Sequence, residues 1–162
     1  MQQTEHVWTK NYEQGVPPQI DSAEYASLSH LLDDVFSKYA EKSSFSNMGT
    51  TLTYKELQVA SQKFASYLQN DLGLKKGDRV ALMMPNILQY PICLFGILQA
   101  GMVAVNVNPL YTARELEHQL NDSNAKAIII FANSANILEK VMDKTAVEHV
   151  VVTEIGDLLN FP

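Results

Sequence analysis

The side chains best able to do chemistry in this 162-residue chain are dispersed, and few of them share a recognisable spacing. Asn106, Asn108 and Tyr111 gather at the end of a short run, Met102–Val107, that reads as a buried strand. In an α/β sheet the end of a strand is the edge where ligands bind, so the three make a candidate binding edge. An ordinary turn at Asn108-Pro109 accounts for the same residues without a ligand. His6, His30, His118 and His149 lie far apart, with no cysteine or carboxylate cluster at zinc spacing. His118 falls beside Glu115 and Glu117, where a surface contact is the default reading. Asp33 and Asp34 are neighbours on a helix and therefore point in different directions, which makes a solvated face the expectation and a cation site the exception. The single cysteine, Cys93, sits between Ile92 and Leu94. A reactive thiol needs an electropositive, partly exposed setting, so inert packing is expected here.

Two stretches invite a nucleotide reading. Ser43–Thr53 is rich in hydroxyls and holds Gly49, but its alternation around Phe45 and Met48 fits a hairpin, and no lysine follows at phosphate-loop spacing. A dinucleotide fold needs G-x-G-x-x-G after its first strand, because only glycine lets the backbone approach a pyrophosphate. The corresponding loop is Met84-Pro85-Asn86, and Pro85 has no N–H to donate. An independent nucleotide-binding oxidoreductase domain is therefore set aside. Gly-x-Ser-x-Gly is absent as well.

The elements that must position these residues are clearer than the chemistry. Arg79–Met84 and Met102–Val107 read as strands buried on both faces, and Ile87–Leu98 as a helix packed inside a larger body. Strand, helix and strand make a parallel right-handed crossover. Thr53-Tyr-Lys-Glu56 and Thr112-Ala-Arg-Glu115 are capping boxes that open helices. A helix is predicted from Ser29 to Tyr39, with Leu28, Leu31, Leu32, Val35 and Phe36 at helical spacing. Ser44–Met48 and Thr51–Thr53 flank a turn at Gly49-Thr50, and Gly73 and Gly77 bracket the turn into the central strand. After a helix at Ala113–Asn121 come a strand at Ala127–Phe131, one helix over Asn133–Asp143 and a strand at Val150–Thr153. The fold class is α/β: a mostly parallel open sheet with helices on both faces. Residues 1–26 read as an extended arm whose Trp8, Tyr12 and Tyr25 dock on some surface, and residues 27–162 as the α/β body.

Composition narrows the partners. Hydrophobic residues at 46% and charged residues at 19% place the chain among soluble globular proteins. A net charge of −6 argues against nucleic acid. The interspersed charges leave no polybasic strip for anionic lipid. One cysteine excludes an internal disulfide and fits a reducing cytoplasm. The N-terminus lacks the basic start and apolar run of a signal peptide, and no apolar run approaches the ~20 residues of a membrane span.

Four motifs in order carry a family resemblance. Leu52-Thr-Tyr-Lys-Glu-Leu57 and Leu98-Gln-Ala-Gly-Met-Val-Ala-Val-Asn-Val-Asn-Pro109 look like the first two core motifs of the adenylate-forming, AMP-binding superfamily. Gly73–Leu82 and Asn108–Leu116, with the Met83–Pro91 stretch, narrow the likeness. Together they resemble the N-terminal part of bacterial long-chain fatty acyl-CoA ligases, from about Val7 onwards. The resemblance implies an N-terminal subdomain of an adenylate-forming enzyme, cut at or near Pro162. It implies ligation of a long-chain fatty acid to coenzyme A through an acyl-adenylate, using ATP and Mg2+, and a cytoplasmic place at the inner membrane. The family's phosphate loop, Tyr-Gly-x-Thr-Glu segment, ribose-binding Asp and C-terminal Lys are not in this sequence. No catalytic, cofactor-binding or metal-binding residue is carried over, and the part alone is expected to be inactive and to bind none of these cofactors. Its expected partners are the fatty acid, the remainder of its own polypeptide, and further copies of itself through exposed apolar surface. The alternative is a stand-alone α/β binding or interaction module.

Overall fold

A computed structural model describes residues 7–159. Helix α1 (Leu28–Lys38) precedes a hairpin of β1 (Ser43–Asn47) and β2 (Thr50–Thr53), then helix α2 (Tyr54–Ser66). Strands β3 (Arg79–Met83), β4 (Val103–Asn106), β5 (Ala127–Phe131) and β6 (His149–Thr153) alternate with helices α3 (Gln89–Gln99), α4 (Ala113–Ser123) and α5 (Ala135–Glu139). The four strands form one parallel sheet in the order β4-β3-β5-β6.

The two central strands explain the layers. Side chains alternate across a strand, so Val80, Leu82, Ala127 and Ile129 pack on one face with α2 and α3. Ala81, Met83, Ile128 and Ile130 pack on the other with α4 and α5. Continuous apolar runs are what a sheet covered on both faces requires. The expected open parallel sheet with helices on both faces is the observed one. β4 departs from expectation: its run was read as buried, yet it is an edge strand with Val103 47% exposed. The chain steps from β3 to one side and then back past it, which leaves β4 with a single neighbour.

Helix α3 is apolar nearly all round because it lies between two layers. Cys93 and Ile97 face the sheet. Ile92 and Phe95 belong to a second cluster with Leu32 and Phe36 of α1 and Leu57 of α2. α1 forms one residue earlier than predicted, capped by the Ser27 hydroxyl, and Leu28 stays exposed in its first turn. Both capping boxes are present, at Thr53/Glu56 and Thr112/Glu115. After Ser66, α2 widens into a π turn at Tyr67–Asp71, which buries Leu68 and leaves Tyr67 at the surface.

Other boundaries shift. The hairpin turn is Met48-Gly49, with φ of 47° and 83°, one residue before the predicted pair. Two consecutive left-handed residues match the twist of an antiparallel ribbon. The single helix expected over Asn133–Asp143 is broken into 3₁₀ turns at Ala132–Ser134 and Met142–Lys144 around the short α5. In the stretch before α1, Val7–Asn11 forms a 3₁₀ turn. Tyr25 donates from its hydroxyl to Asp34 at 3.1 Å and packs edge-on to His30.

Charged side chains tie the sheet at its N-terminal end. The Asp78 carboxylate accepts from the Lys75 N–H at 2.8 Å and pairs with Lys126 at 3.0 Å, joining the starts of β3 and β5. The Lys75 N–H first, and Lys126 after it, hold this carboxyl below its usual range against the opposing effect of burial. Arg79 donates through Nε to the Ser123 carbonyl at 2.9 Å and through Nη2 to Asn124 at 2.7 Å. That places a cation on the negative end of α4.

Helices α2 and α3 approach closely at Gly96. A Cβ on Gly96 of α3 would sit 2.8 Å from the Ser61 carbonyl oxygen of α2 and 2.8 Å from Phe64 Cδ1. Backbone cannot swing aside as a side chain can. Gly96→Ala is expected to lower stability by about 1–3 kcal/mol through overpacking. The loss should appear even though alanine favours a helix by about 1 kcal/mol over glycine. A urea titration should show a lower midpoint at constant slope, and an unchanged midpoint would mean that the helices separate freely.

Candidate functional site

The C-terminal ends of β3 and β4, with the loops that leave them, hold the three residues singled out from sequence. The structure brings Asn106 and Asn108 to this edge and shows what occupies their side chains. Asn106 Oδ1 accepts from the Tyr90 hydroxyl at 3.0 Å, and its backbone carbonyl accepts from Gln119 Nε2 at 2.9 Å. Asn108 Oδ1 accepts from the Leu110 N–H at 3.0 Å, an Asx turn, and the Tyr111 N–H closes on the Asn108 carbonyl at 3.1 Å. The Tyr111 ring packs against the cluster under α4 and α5. The turn reading therefore describes these residues: their polar atoms hold the loop from β4 into the Thr112 cap.

Tyr90 and Gln119 were not singled out beforehand. They lie 16 and 13 residues from Asn106 on helices of opposite faces, and no local spacing signals that both reach one strand end. Neighbouring loops are joined in the same way. Asn47 Nδ2 from the hairpin reaches the Asn86 carbonyl at 3.1 Å, and the Ser134 hydroxyl donates to the Pro109 carbonyl at 3.4 Å. The buried Gln89 donates to the Glu154 carbonyl at 2.7 Å, so the segment after β6 crosses the start of α3.

The remaining candidates stay apart. His30 lies in α1, His118 on the exposed side of α4 and His149 at the start of β6, and His6 lies outside the described residues. Asp33 and Asp34 are both exposed. Among the described residues no group of three or more His, Cys, Asp or Glu can hold a metal ion. Burial pushes the Cys93 thiol up to about 12, the state of an inert core cysteine. The hydroxyls of Ser43–Thr53 are used within the hairpin: Ser44 donates to the Leu52 carbonyl at 2.8 Å, and Ser46 and Thr51 bond to each other at 2.7 Å.

Most polar side chains of this edge bond to neighbouring loops, while Gln119 Oε1 is buried without a hydrogen-bond partner among the described residues, and the family is decided by comparison with known proteins. Residues 32–161 match the family model of the AMP-binding enzyme. The chain belongs to the AMP-binding enzyme family. It is 58% identical over 154 residues to a long-chain-fatty-acid–CoA ligase of Escherichia coli, covering 95% of this chain and 28% of the relative. A ligase of the same description from Bacillus subtilis is 34% identical over 160 residues, again with 28% of its length covered. The chain thus spans little more than a quarter of the curated relatives it matches. Among solved structures, a long-chain-fatty-acid–CoA ligase from Archaeoglobus fulgidus superposes with a TM-score of 0.74 at 26% identity, over 91% of this chain and 32% of that one. The two capping boxes and the β3–α3–β4 unit therefore lie within the stretch that the AMP-binding family model matches.

The capping boxes have a pH signature. The Thr112 N–H first, then its hydroxyl, hold Glu115 below the usual 4.5, and Thr53 does the same to Glu56. A carboxylate with a depressed folded value contributes fully above pH 4.5 and loses its contribution as pH falls through the lower folded value. At pH 7, Thr112→Ala is expected to cost about 1 kcal/mol, as for other helix N-caps. Urea midpoints should fall as the medium is acidified below pH 4.5, and less steeply in Glu115→Gln than in the parent. Parallel curves would remove Glu115 from the acid response.

Proposed function

We propose that this chain is the N-terminal part of a long-chain fatty acid–CoA ligase. The 58% identity to the Escherichia coli ligase, sustained over 95% of the chain, carries the reading. In the proposed reaction the fatty acid carboxylate attacks the α-phosphate of ATP, pyrophosphate leaves, and the thiol of coenzyme A then displaces AMP from the acyl-adenylate. Both steps build negative charge that needs fixed donors and cations around it. ATP, Mg2+ and coenzyme A are taken as co-substrates and cofactor of the longer enzyme.

No residue of this part is assigned to Mg·ATP in this proposal. The described residues offer no metal-holding cluster, and the loop after β3 has Pro85 where a phosphate cradle would place N–H donors. No chemical step is assigned to them. Their proposed contribution is a frame: β3 and β5 lie between helix layers, and the loops at their ends are bonded to one another. Among the described residues no helix is long and apolar enough to cross a membrane; attachment of the longer enzyme to the inner face of the membrane is part of the proposal and comes from the family resemblance. Exposed Val103, on the edge strand β4, marks the surface through which the isolated part is proposed to associate.

The chain alone is expected to make no acyl-adenylate. Fatty-acid-dependent exchange of labelled pyrophosphate into ATP measures this directly. Exchange should stay at background for the 162-residue chain and appear when the chain replaces the matching portion of the Escherichia coli ligase. Exchange by the chain alone would overturn its role as a frame.

A further inference from the structure

We propose that the cleft where α1, α2 and α3 meet binds an alkylammonium group. Its chemistry is independent of the ligase reading, and none of its residues takes part in the C-terminal edge of the sheet.

Ser29 and Asp33 of α1, Gln62 and Ser66 of α2, Gln69 of the π turn and Gln99 of α3 line a cleft of about 340 Å³. That volume lies at the small end of the roughly 300–1,000 Å³ usual for ligand pockets. Ser29 and Asp33 stand one helical turn apart, as do Gln62 and Ser66, so two helices each turn a pair of polar side chains to the same space. The π turn supplies the third wall. It carries Gln69 over the end of α3, where Gln69 Nε2 donates to the Ala100 carbonyl at 3.3 Å. π turns set into α-helices recur at functional sites.

Two acceptors in the lining lack a donor. The Ser61 hydroxyl donates to the Gln58 carbonyl at 3.0 Å, so its oxygen can only accept from Gln99, whose Nε2 faces it at 3.5 Å. The Gln99 amide is thereby oriented with Oε1 turned away, buried and without a hydrogen-bond partner among the described residues. A buried acceptor left unpaired is costly and calls for a donor. The Asp33 carboxylate is exposed and enters no ion pair among the described residues. α3 ends at Gln99, so the negative end of its dipole adjoins the cleft. Neither Lys nor Arg lines it.

These features select a donor that carries positive charge. An ammonium head offers three N–H donors and no acceptor. The acceptors stand on separate helices, which suits a head with diverging donors better than the planar fork of a guanidinium. A metal ion fits poorly, because among the described residues no group of three or more His, Cys, Asp or Glu gathers here or elsewhere. Ala65 gives a methylene stem its apolar contact.

Titration of the isotope-labelled chain with diaminobutane and with N-acetyl-lysine N-methylamide tests the site by nuclear magnetic resonance. The side-chain amide signals of Gln62, Gln69 and Gln99 should move and saturate, and sodium chloride at matched ionic strength should not reproduce the movement. Asp33→Asn changes an exposed helical residue without changing its size, and should weaken binding about tenfold. Gln99→Met keeps the length and removes the acceptor, and should weaken it as well; if that variant does not fold, Asp33→Asn still decides. Tighter binding of the diamine supports a free amine as the source, and tighter binding of the capped lysine supports a lysine of a protein partner. Shifts that never saturate, or that match in the parent and Asp33→Asn, would overturn the site and leave a hydrated cleft. The chimera with the Escherichia coli remainder should show the same saturable shifts. A chimera active in pyrophosphate exchange but without them would also overturn the site, while the ligase reading stands.

Discussion

Burial of β3 and β5 on both faces is the constraint on which the rest of the structure depends. Val80, Ala81, Leu82, Met83, Ala127, Ile128, Ile129 and Ile130 have almost no exposed surface. Backbone polar groups at that depth must be paired, and a parallel ladder pairs them without a tight turn between the strands. Parallel pairing in turn demands crossovers, and the crossovers become the helices that cover the two faces. Charges are kept to the ends of these strands, where Asp78, Lys126 and Arg79 bind one another or a helix terminus.

The same economy shapes the C-terminal edge. In many open α/β sheets the loops there are left free to meet a ligand. Here Asn106, Asn108, Tyr90, Gln119, Asn47, Gln89 and Ser134 bond to neighbouring loops. An edge bonded in this way suits a part whose task is to hold geometry for residues elsewhere. It is consistent with a chain that spans little more than a quarter of its relatives, and with a family whose substrate chemistry is proposed to lie in the remaining length.

Much of this was legible in residue order. Thr53 with Glu56 and Thr112 with Glu115 opened helices as their spacing predicts, because a capping box is made within four residues and depends on nothing distant. β5 occupies the predicted Ala127–Phe131, and the strand after it differs by one residue. Expectations failed where a distant partner decides the outcome. The hairpin turn moved to Met48-Gly49 because strand pairing, not the single glycine, sets the register. α5 shortened because Ala132–Ser134 must turn tightly to leave β5. Val103 was assigned to the interior from its apolar neighbours, although strand order alone decides which strand lies at an edge.

The chain's own residues determined the α/β class, the two capped helices, the inert placement of Cys93 and, through four motifs in order, the family. These follow from contacts between near neighbours or from patterns of side-chain type that survive without a structure. Tertiary structure alone decided that β4 and β6 are the edges and that Asn106 is shared by Tyr90 and Gln119. Each depends on strand order and on which helix crosses which face. Those are relations between segments tens of residues apart, and no local spacing encodes them.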